Sequence, residues 1–273
     1  MTRVSIRDWL NASNLESVDA QSLVCHVLGK PRSYLFSHSD TLLSEHQSVE
    51  LTKACERRCH GEPLSYITGV AEFWSMPFLV TPDVLIPRDD TGCLVEVALE
   101  LWNTTPNQGT VVDAGTGSGA VAIAFAKETG EPVLATDFSA AALKLASTNA
   151  SRLSPGLIDC VQANWLDPIA HSSVRLLLSN PPYIPLGDPH LAAIELQHEP
   201  TSALVSGNEG LDDLKRLAVN APSVLISGGA VALEHGYDQA NAVQALLREE
   251  GFLDVATVQD LSGNDRVTHA KAP

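Results

Sequence analysis

The sequence predicts an α/β protein in which a mostly parallel β-sheet is covered by helices and preceded by a smaller helical region. After residue 110, short and almost continuously apolar runs alternate with helical stretches. Strands of this kind are buried on both faces, as in a parallel sheet that lies between two layers of helices. The 273 residues are sufficient for one large domain, or for a small domain joined to a medium one.

The first helices are predicted from amphipathic spacing and from their start and stop signals. Residues 18–28 form one such helix, which Gly29 and a following proline end. A capping-box pattern, Ser44 with Gln47, begins the next helix, and Gly61 is its stop signal.

Residues 61–87 interrupt the helical pattern with prolines and glycines set among aromatic and branched residues. This composition predicts turns and short extended pieces, with a hairpin among them. A helix follows, because Leu94, Val97, Ala98 and Leu101 recur at helical spacing.

The remaining elements alternate in the order expected of a parallel sheet. The predicted strands are residues 110–114, 133–136, 157–161, 175–179, 224–233, 253–258 and 267–270. The predicted helices between them are residues 118–128, 139–153, 211–221 and 238–250. No apolar run approaches the length of a transmembrane helix, so we expect no membrane segment.

The charge balance argues against a nucleic-acid partner. Lys and Arg number 17 and Asp and Glu number 33, so the net charge is −16. Such a surface repels phosphate backbones, which disfavours binding through many phosphate contacts, although a local basic patch stays possible.

The five cysteines are odd in number and never spaced as C-x-x-C. This pattern disfavours a disulfide framework or a zinc ribbon and is typical of a reducing cytoplasm. Cys55, Cys59 and His60 resemble a metal-ligand cluster in sequence. Because Leu51 shares a helical face with Cys55 and Cys59, we expect packing there and no metal.

A glycine-rich turn follows the first strand of the predicted sheet. The segment Val111-Val112-Asp113-Ala114-Gly115-Thr116-Gly117-Ser118-Gly119 lets a ligand approach the backbone and the start of a helix. Asp137 ends the next strand, where a carboxylate commonly accepts hydrogen bonds from ribose hydroxyls. An ordinary turn with an unrelated acid is the alternative, but the order of elements favours a nucleotide. The spacing G-x-G-x-G resembles that of class I S-adenosylmethionine-dependent methyltransferases; an NAD-dependent oxidoreductase is the second interpretation of this segment alone.

The chemistry is indicated by Asn180-Pro181-Pro182-Tyr183, which follows an apolar strand. A planar –NH2 group has two N–H donors, which the Asn180 side-chain oxygen and the Pro181 carbonyl can accept. The prolines stiffen this array, and Tyr183 offers an aromatic face. A Pro-Pro turn without chemistry is the alternative. The motif resembles that of methyltransferases acting on adenine N6 or on glutamine N5, and by itself it does not separate them.

Segments along the whole chain carry a more specific resemblance. They are, in order, Gly61-Glu62-Pro63-Leu64-Ser65-Tyr66-Ile67-Thr68-Gly69, Glu72-Phe73-Trp74, Leu85-Ile86-Pro87-Arg88-x-Asp90-Thr91, Glu199-Pro200-x-x-Ala203-Leu204, Gly210-Leu211, Leu233-Glu234-His235-Gly236 and Asn264-Asp265-Arg266-Val267-Thr268. With these segments the chain closely resembles the release factor glutamine methyltransferase family.

This resemblance implies a class I methyltransferase fold, a Rossmann-like and mostly parallel seven-stranded sheet. It implies a helical substrate-recognition domain at residues 1–61, a hairpin linker at 62–87 and a methyltransferase domain at 88–273. The implied reaction moves a methyl group from S-adenosylmethionine to N5 of the glutamine in the Gly-Gly-Gln motif of class 1 peptide chain release factors. S-adenosylhomocysteine is the second product, the compartment is cytoplasmic, and no metal, membrane or direct DNA binding is expected.

The resemblance also implies site residues by position. Cofactor contacts are expected at Gly115, Thr116, Gly117, Ser118, Gly119, Asp137, Trp165 and Asn180. Catalytic and substrate contacts are expected at Asn180, Pro181, Pro182 and Tyr183. Alignment and polarisation suffice for this transfer, so no catalytic Ser, Cys or His is predicted, and water can take the proton.

The chain departs from the family pattern at three places along the sequence. Asp89-Asp90-Thr91-Gly92 stands where Pro-Asp-Thr-Glu is usual, Asn164 replaces an acid, and Ala114 replaces a bulkier apolar residue. The first two bear on linker geometry and cofactor affinity. Two rival hypotheses remain: an adenine N6-methyltransferase, and a nucleotide-binding or scaffold protein with an inactive site.

Overall fold

A computed structural model describes residues 4–273 and divides the chain into two compact units. The first unit contains the residues up to 70 together with 193–198, and the second contains 71–192 and 199–273. Residues 1–3, at the start of the predicted domain 1–61, lie outside the described residues. Within residues 4–273, no helix is both long and apolar enough to cross a membrane.

The first unit is helical. Its helices are α1 (Ile6–Ala12), α2 (Ser17–Leu28), α3 (Arg32–Ser37), α4 (Glu45–Cys59) and α5 (Leu64–Thr68). They enclose a core of their own, formed by Ile6, Leu23, Val24, Leu35, Leu43, Leu51, Ala54 and Ile67. The predicted capping box is present, since Ser44 N donates to Gln47 Oε1 at 2.9 Å and Gln47 N donates to Ser44 Oγ at 3.2 Å.

Two expectations for this unit are corrected. Helix α5 lies where only turns and extended pieces were expected, between Pro63 as its N-cap and Gly69 in the left-handed conformation as its C-cap. Five residues are too few to show a helical period. Cys55 is half-buried as expected, whereas Cys59 is exposed, so packing explains only the first of the two thiols.

The predicted hairpin is confirmed as β1 (Val70–Phe73) and β2 (Met76–Leu79). Trp74 and Ser75 connect the strands with φ of 51° and 56°, which is the left-handed pair that tight hairpin turns require. Phe73 and Phe78 belong to the core of the second unit, and Asn149 on a helix of that unit hydrogen-bonds to both backbone groups of Leu79.

Within residues 71–273, seven strands form one sheet in the order β5-β4-β3-β6-β7-β9-β8. They are β3 (Thr110–Ala114), β4 (Val133–Asp137), β5 (Ile158–Gln162), β6 (Val174–Ser179), β7 (Leu225–Glu234), β8 (Leu253–Gln259) and β9 (Asp265–Lys271). The first five are parallel, and β9 runs antiparallel to both of its neighbours. The predicted fold class, a mostly parallel seven-stranded sheet after a helical region and a hairpin, is confirmed.

Helices cover both faces of this sheet. They are α6 (Gly92–Trp102), α7 (Ala120–Thr129), α8 (Ala140–Leu153), α9 (Asp212–Val224) and α10 (Ala240–Glu249). Every residue of β6 is buried: Leu176 and Leu178 join one apolar layer, while Val174 and Leu177 join the other. The chain runs outward from β3 through β4 to β5 and then returns to β6, so the order of strands reverses beside β3. Ligands of such sheets bind at that point, beyond the carboxyl ends of the strands.

Candidate active site

A cavity of about 390 Å³ lies at this reversal point in the second unit. The ends of three parallel strands line it: the glycine turn follows β3, Asp137 ends β4, and Asn180 follows β6. The predicted site residues in its lining are Gly115, Thr116, Gly117, Ser118, Asp137, Trp165, Asn180 and Pro182. Gly119, Pro181 and Tyr183 lie outside that lining.

The three glycines of the turn have left-handed backbone conformations but different surroundings. A Cβ on Gly115 would lie 3.0 Å from the Trp165 ring, and one on Gly119 would lie 3.0 Å from Ile123 Cδ1. At Gly117 nothing lies within 4 Å of that position. Gly119 therefore serves close packing at the start of α7, while the backbone at Gly117 is open to a ligand.

Two carboxylates hold the turn in place. Asp113 is buried and accepts hydrogen bonds from Thr116 Oγ1 at 2.6 Å and from Ala122 N at 3.1 Å. Its burial raises the pKa to about 6. Asp137 accepts from Gly117 N at 2.9 Å through Oδ2 and from Ser139 N at 2.8 Å through Oδ1. Each Asp137 oxygen retains acceptor capacity, so the same carboxylate that pins the turn can also receive ribose hydroxyls.

Two aromatic residues lie beside the turn. Trp165 has a left-handed φ of 56°, and its Nε1 donates to Asp213 Oδ1 at 3.2 Å. Phe138, directly after Asp137, lines the cavity with 75% of its surface exposed. Phe138 was not predicted from the sequence, where its only signal is an apolar residue immediately after the acid that ends a strand.

Asn180 is anchored through one end of its carboxamide. Its Nδ2 donates to Thr91 Oγ1 at 3.1 Å. Within the described part of the chain, no group donates to its Oδ1 or to the Pro181 carbonyl. The backbone beside it is fixed, because Ser179 Oγ donates to the Ala114 carbonyl at 2.6 Å and ties β6 to β3. The two acceptors that the sequence assigned to a planar amide are thus free of protein hydrogen bonds.

The hydroxyl of Tyr183 is hydrogen-bonded to a buried carboxyl group. Its hydroxyl donates to Glu234 Oε1 at 3.3 Å. Burial raises the pKa of Tyr183 well above its usual range, so the phenol stays protonated. The side chain packs against the apolar layer that contains Leu177 and Leu233.

Four further residues near the site belong to the segments that carry the family resemblance, but the sequence predicted no role for them. Thr91 and Arg88 line the cavity, and Glu199 forms an ion pair with Arg88 and accepts from Ile86 N. Glu234 is the fourth. Their partners are distant in sequence, so no local spacing could indicate the contacts.

The positions that depart from the family pattern also have defined places. Asn164 lines the cavity beside Trp165. Gly92 begins α6, and a Cβ there would make ordinary contact with the Trp74 ring at 3.6 Å. Asp89 begins a single-turn 3₁₀ helix, Asp89–Thr91, and Ala114 is fully buried under the turn.

Comparison with known proteins gives matches over almost the whole chain. The model of the PrmC N-terminal domain matches residues 5–69, and that of the methyltransferase small domain matches residues 91–207. The release factor glutamine methyltransferase of Vibrio cholerae is 43% identical over 260 residues, which are 94% of this chain and 90% of the relative. The Escherichia coli K12 protein of the same name is 39% identical over 260 residues, 95% of this chain and 93% of the relative.

A solved structure supports the fold class. The methyltransferase from Pyrococcus furiosus has a TM-score of 0.52 and 15% sequence identity, with 84% of this chain and 98% of that chain covered. At that identity the likeness concerns the fold alone.

Proposed function

Because the chain belongs to the release factor glutamine methyltransferase family, we propose that it methylates N5 of the glutamine in the Gly-Gly-Gln motif of class 1 release factors. The observation that carries this proposal is the free pair of acceptors, Asn180 Oδ1 and the Pro181 carbonyl, at the end of β6. A glutamine side chain ends in the planar –NH2 group that such a pair can bind. The proposed reaction takes place in the cytoplasm. The five cysteines are all free thiols, which is typical of a protein in a reducing compartment.

S-adenosylmethionine is the cofactor, and the residues of the cavity suit it. The open backbone at Gly117 allows close approach, Asp137 offers acceptors for ribose hydroxyls, and Asn164 can accept from an adenine amino group. Phe138 and Trp165 supply aromatic surface. When bound, this cofactor supplies an electrophilic methyl group on a positively charged sulfur, and S-adenosylhomocysteine remains after transfer.

The chain's own residues act by alignment and polarisation. Asn180 Oδ1 and the Pro181 carbonyl accept hydrogen bonds from the two N–H groups of the substrate amide. These hydrogen bonds draw electron density onto the amide nitrogen and fix the orientation of the amide. Tyr183, with its hydroxyl committed to Glu234, offers its ring to the planar amide. The proton that the nitrogen loses can pass to water, so the reaction requires no base from the protein.

An adenine amino group in nucleic acid is the less supported substrate. The net charge of −16 repels phosphates, and the relatives over nearly the full length are named for glutamine in release factors. The same names argue against a scaffold with an inactive site, because they describe enzymes.

A mass spectrum of a co-expressed release factor tests the proposal. We expect one added methyl group on the Gly-Gly-Gln peptide when the factor is produced with this chain in cells that lack their own enzyme. The peptide stays unmodified when the partner is the Asn180→Ala variant. An unmodified peptide with the unaltered chain, at confirmed expression of both proteins, would reject the proposed substrate. Labelled N6-methyladenine in duplex DNA at a comparable rate would restore the adenine hypothesis.

A further inference from the structure

Asp213 is a half-buried carboxylate on α9 to which the proposed reaction assigns no role. It is the second residue of that helix and lies in the lining of the cavity. Its two oxygens have different partners. Oδ1 accepts a hydrogen bond from Trp165 Nε1 at 3.2 Å, and Oδ2 accepts one from Ser206 Oγ at 2.7 Å. One carboxylate therefore joins two segments that are distant in sequence.

The Trp165 ring depends on its surroundings for its place in the cavity wall. Its backbone has a left-handed φ of 56°, a conformation that a residue other than glycine keeps only where the surrounding structure holds it. The six-membered part of the ring lies 3.0 Å from the position of a Cβ on Gly115, so it packs on the glycine turn. The Nε1–H group of the five-membered part is bound by Asp213. These two contacts fix the orientation of the ring.

Ser206 fixes the carboxylate of Asp213 in turn. Ser206 is buried, and its Oγ both donates to Asp213 Oδ2 and accepts from Asp213 N at 2.9 Å. The backbone of Ser206 is also held, because its N–H donates to the carbonyl of Ile184 at 3.0 Å, while Ile184 N donates to the carbonyl of Leu204 at 2.9 Å. Asp213 thus presents a fixed acceptor to the indole.

We propose that Asp213 is a positioning residue which holds the Trp165 ring as a wall of the cofactor cavity. An indole without this hydrogen bond can rotate away from Gly115, and the aromatic surface for the cofactor is then no longer preorganised. The inference rests on the proposed function only in its ligand, S-adenosylmethionine. Because that ligand can be bound without a release factor, the test does not depend on the proposed substrate.

A double-mutant cycle separates this role from a direct contact between Asp213 and the cofactor. Calorimetry with S-adenosylmethionine gives Kd for the unaltered chain, Asp213→Ala, Trp165→Phe and the double variant. Phenylalanine keeps an aromatic ring but has no N–H group for Asp213. We expect Asp213→Ala to raise Kd about tenfold in the unaltered chain, since a hydrogen bond to a charged group is lost. In Trp165→Phe the same substitution should raise Kd by less than about twofold.

Asp213→Asn and Asp212→Ala are the matched controls. Asparagine can still accept from Trp165 Nε1 and can donate to Ser206 Oγ, so it should retain most of the affinity. Asp212 is the exposed neighbouring carboxylate in the first turn of α9, and its loss should leave Kd unchanged. A rise in Kd of equal size with and without the Trp165 indole would overturn the inference, because Asp213 would then act directly on the cofactor. An unchanged Kd in Asp213→Ala would overturn it as well.

Ser206→Ala gives a milder variant that keeps both Asp213 and Trp165. It frees the carboxylate from its anchor, so Kd should rise in the same direction but by less than in Asp213→Ala. This rise should also be absent in Trp165→Phe. An equal rise in both backgrounds would contradict an effect that passes through the indole.

A spectroscopic readout needs no ligand. The chain has four tryptophans, and the indole signal of Trp165 in a nitrogen-15 spectrum is the one that Trp165→Phe lacks. In the unaltered chain and in Asp213→Asn we expect this N–H group to exchange slowly with solvent, because it is hydrogen-bonded. In Asp213→Ala its signal should shift and exchange faster, while the other indole signals stay fixed. An unchanged Trp165 signal in Asp213→Ala would show that the carboxylate does not hold the ring and would overturn the inference. Movement of every indole signal would assign the effect to the fold as a whole and would also count against it.

Discussion

Asn180 has one anchored end and one free end, and this asymmetry distinguishes a binding side chain from a structural one. Its Nδ2 is bound to Thr91, whereas no described residue donates to its oxygen. Asp137 differs, because both of its oxygens already accept backbone N–H groups. Loss of Asn180 should therefore affect the substrate amide, while loss of Asp137 should affect the turn and the cofactor together.

Asn180→Ala should abolish methyl transfer and leave cofactor binding largely intact. The variant removes Asn180 Oδ1 from the proposed amide clamp, which consists of Asn180 Oδ1 and the Pro181 carbonyl. A loss of at least about a hundredfold in kcat is typical when a positioned polar group is removed. The glycine turn and Asp137 remain in place. Turnover on a release factor and calorimetry with S-adenosylmethionine measure the two effects. Asn220→Ala, an exposed position on α9, is the matched control; near-normal turnover of Asn180→Ala would contradict the clamp.

Asp137→Ala should weaken binding of S-adenosylmethionine by roughly 1.5–3 kcal/mol, the usual value for a charge-assisted hydrogen bond. The variant loses the ribose acceptor and also releases Gly117 N from its partner. Calorimetry gives the change in Kd. Asp159→Ala, an exposed carboxylate on the neighbouring strand β5, should leave Kd unchanged. Equal Kd values for the two variants would show that Asp137 does not contribute to cofactor binding.

At the scale of elements, the sequence predicts the sheet well because each strand is a short apolar run between helices. The predicted strand 110–114 coincides with β3, and the others differ from the observed strands by one or two residues at an end. Helices α1, α3 and α5 were not predicted, because with five to seven residues each they are too short for a period to show.

The residues of the candidate site likewise fall into a group that local sequence predicts and a group that it does not. The glycine turn, Asp137 and Asn180 each lie next to a strand end, so local sequence was enough to find them. Thr91 is 89 residues from Asn180, and Glu234 is 51 residues from Tyr183. Only the order of strands in the sheet brings such pairs together, and spacing along the chain carries no signal for them.

Alanine at two glycines should separate the structural and ligand-facing parts of the turn. Both positions have left-handed φ, which costs an L residue about 1–2 kcal/mol. At Gly119 the new Cβ would also press on Ile123 and Ala146, whereas at Gly117 space is open. Thermal melting should show a larger decrease in melting temperature for Gly119→Ala. Calorimetry should show that Gly117→Ala loses more cofactor affinity than Gly119→Ala for the same decrease in melting temperature. Gly130→Ala, at an open left-handed helix end, is the control for backbone strain.

The buried Asp113 under the turn should make stability depend on pH. Its burial raises the pKa from 3.8 to about 6 in the folded chain. A group whose pKa is higher in the folded than in the unfolded chain stabilises the fold fully at pH values below the unfolded pKa. This stabilisation is lost as pH rises through the folded pKa. Asp113→Asn removes the titration, so its stability relative to the unaltered chain should increase between pH 4 and 6 by about 3 kcal/mol and then level off. Denaturant unfolding at several pH values measures this difference; a pH-independent difference would contradict it.

At the scale of the whole molecule, the clamp raises a question of selectivity. Every glutamine and asparagine side chain carries an –NH2 group, so a clamp for that group cannot choose one residue in one protein. Selectivity must come from surface outside it. We propose that the first unit supplies this surface. It has its own core and exposes large apolar side chains such as Phe36, with 71% of its surface accessible, and Leu42, with 54%.

Removal of residues 1–69, which contain the five helices of the first unit, should therefore reduce recognition of the release factor without loss of cofactor binding. The cut must keep the hairpin, because Phe73 and Phe78 belong to the core of the second unit. A protein that begins at Val70 should bind S-adenosylmethionine with unchanged Kd and methylate intact release factor far more slowly, mainly through a higher KM. A short Gly-Gly-Gln peptide should be a poor substrate for both proteins. A protein that begins at Pro82 serves as the control for core loss and should melt at a lower temperature. If the protein that begins at Val70 modifies whole release factor as well as the full chain does, recognition resides elsewhere.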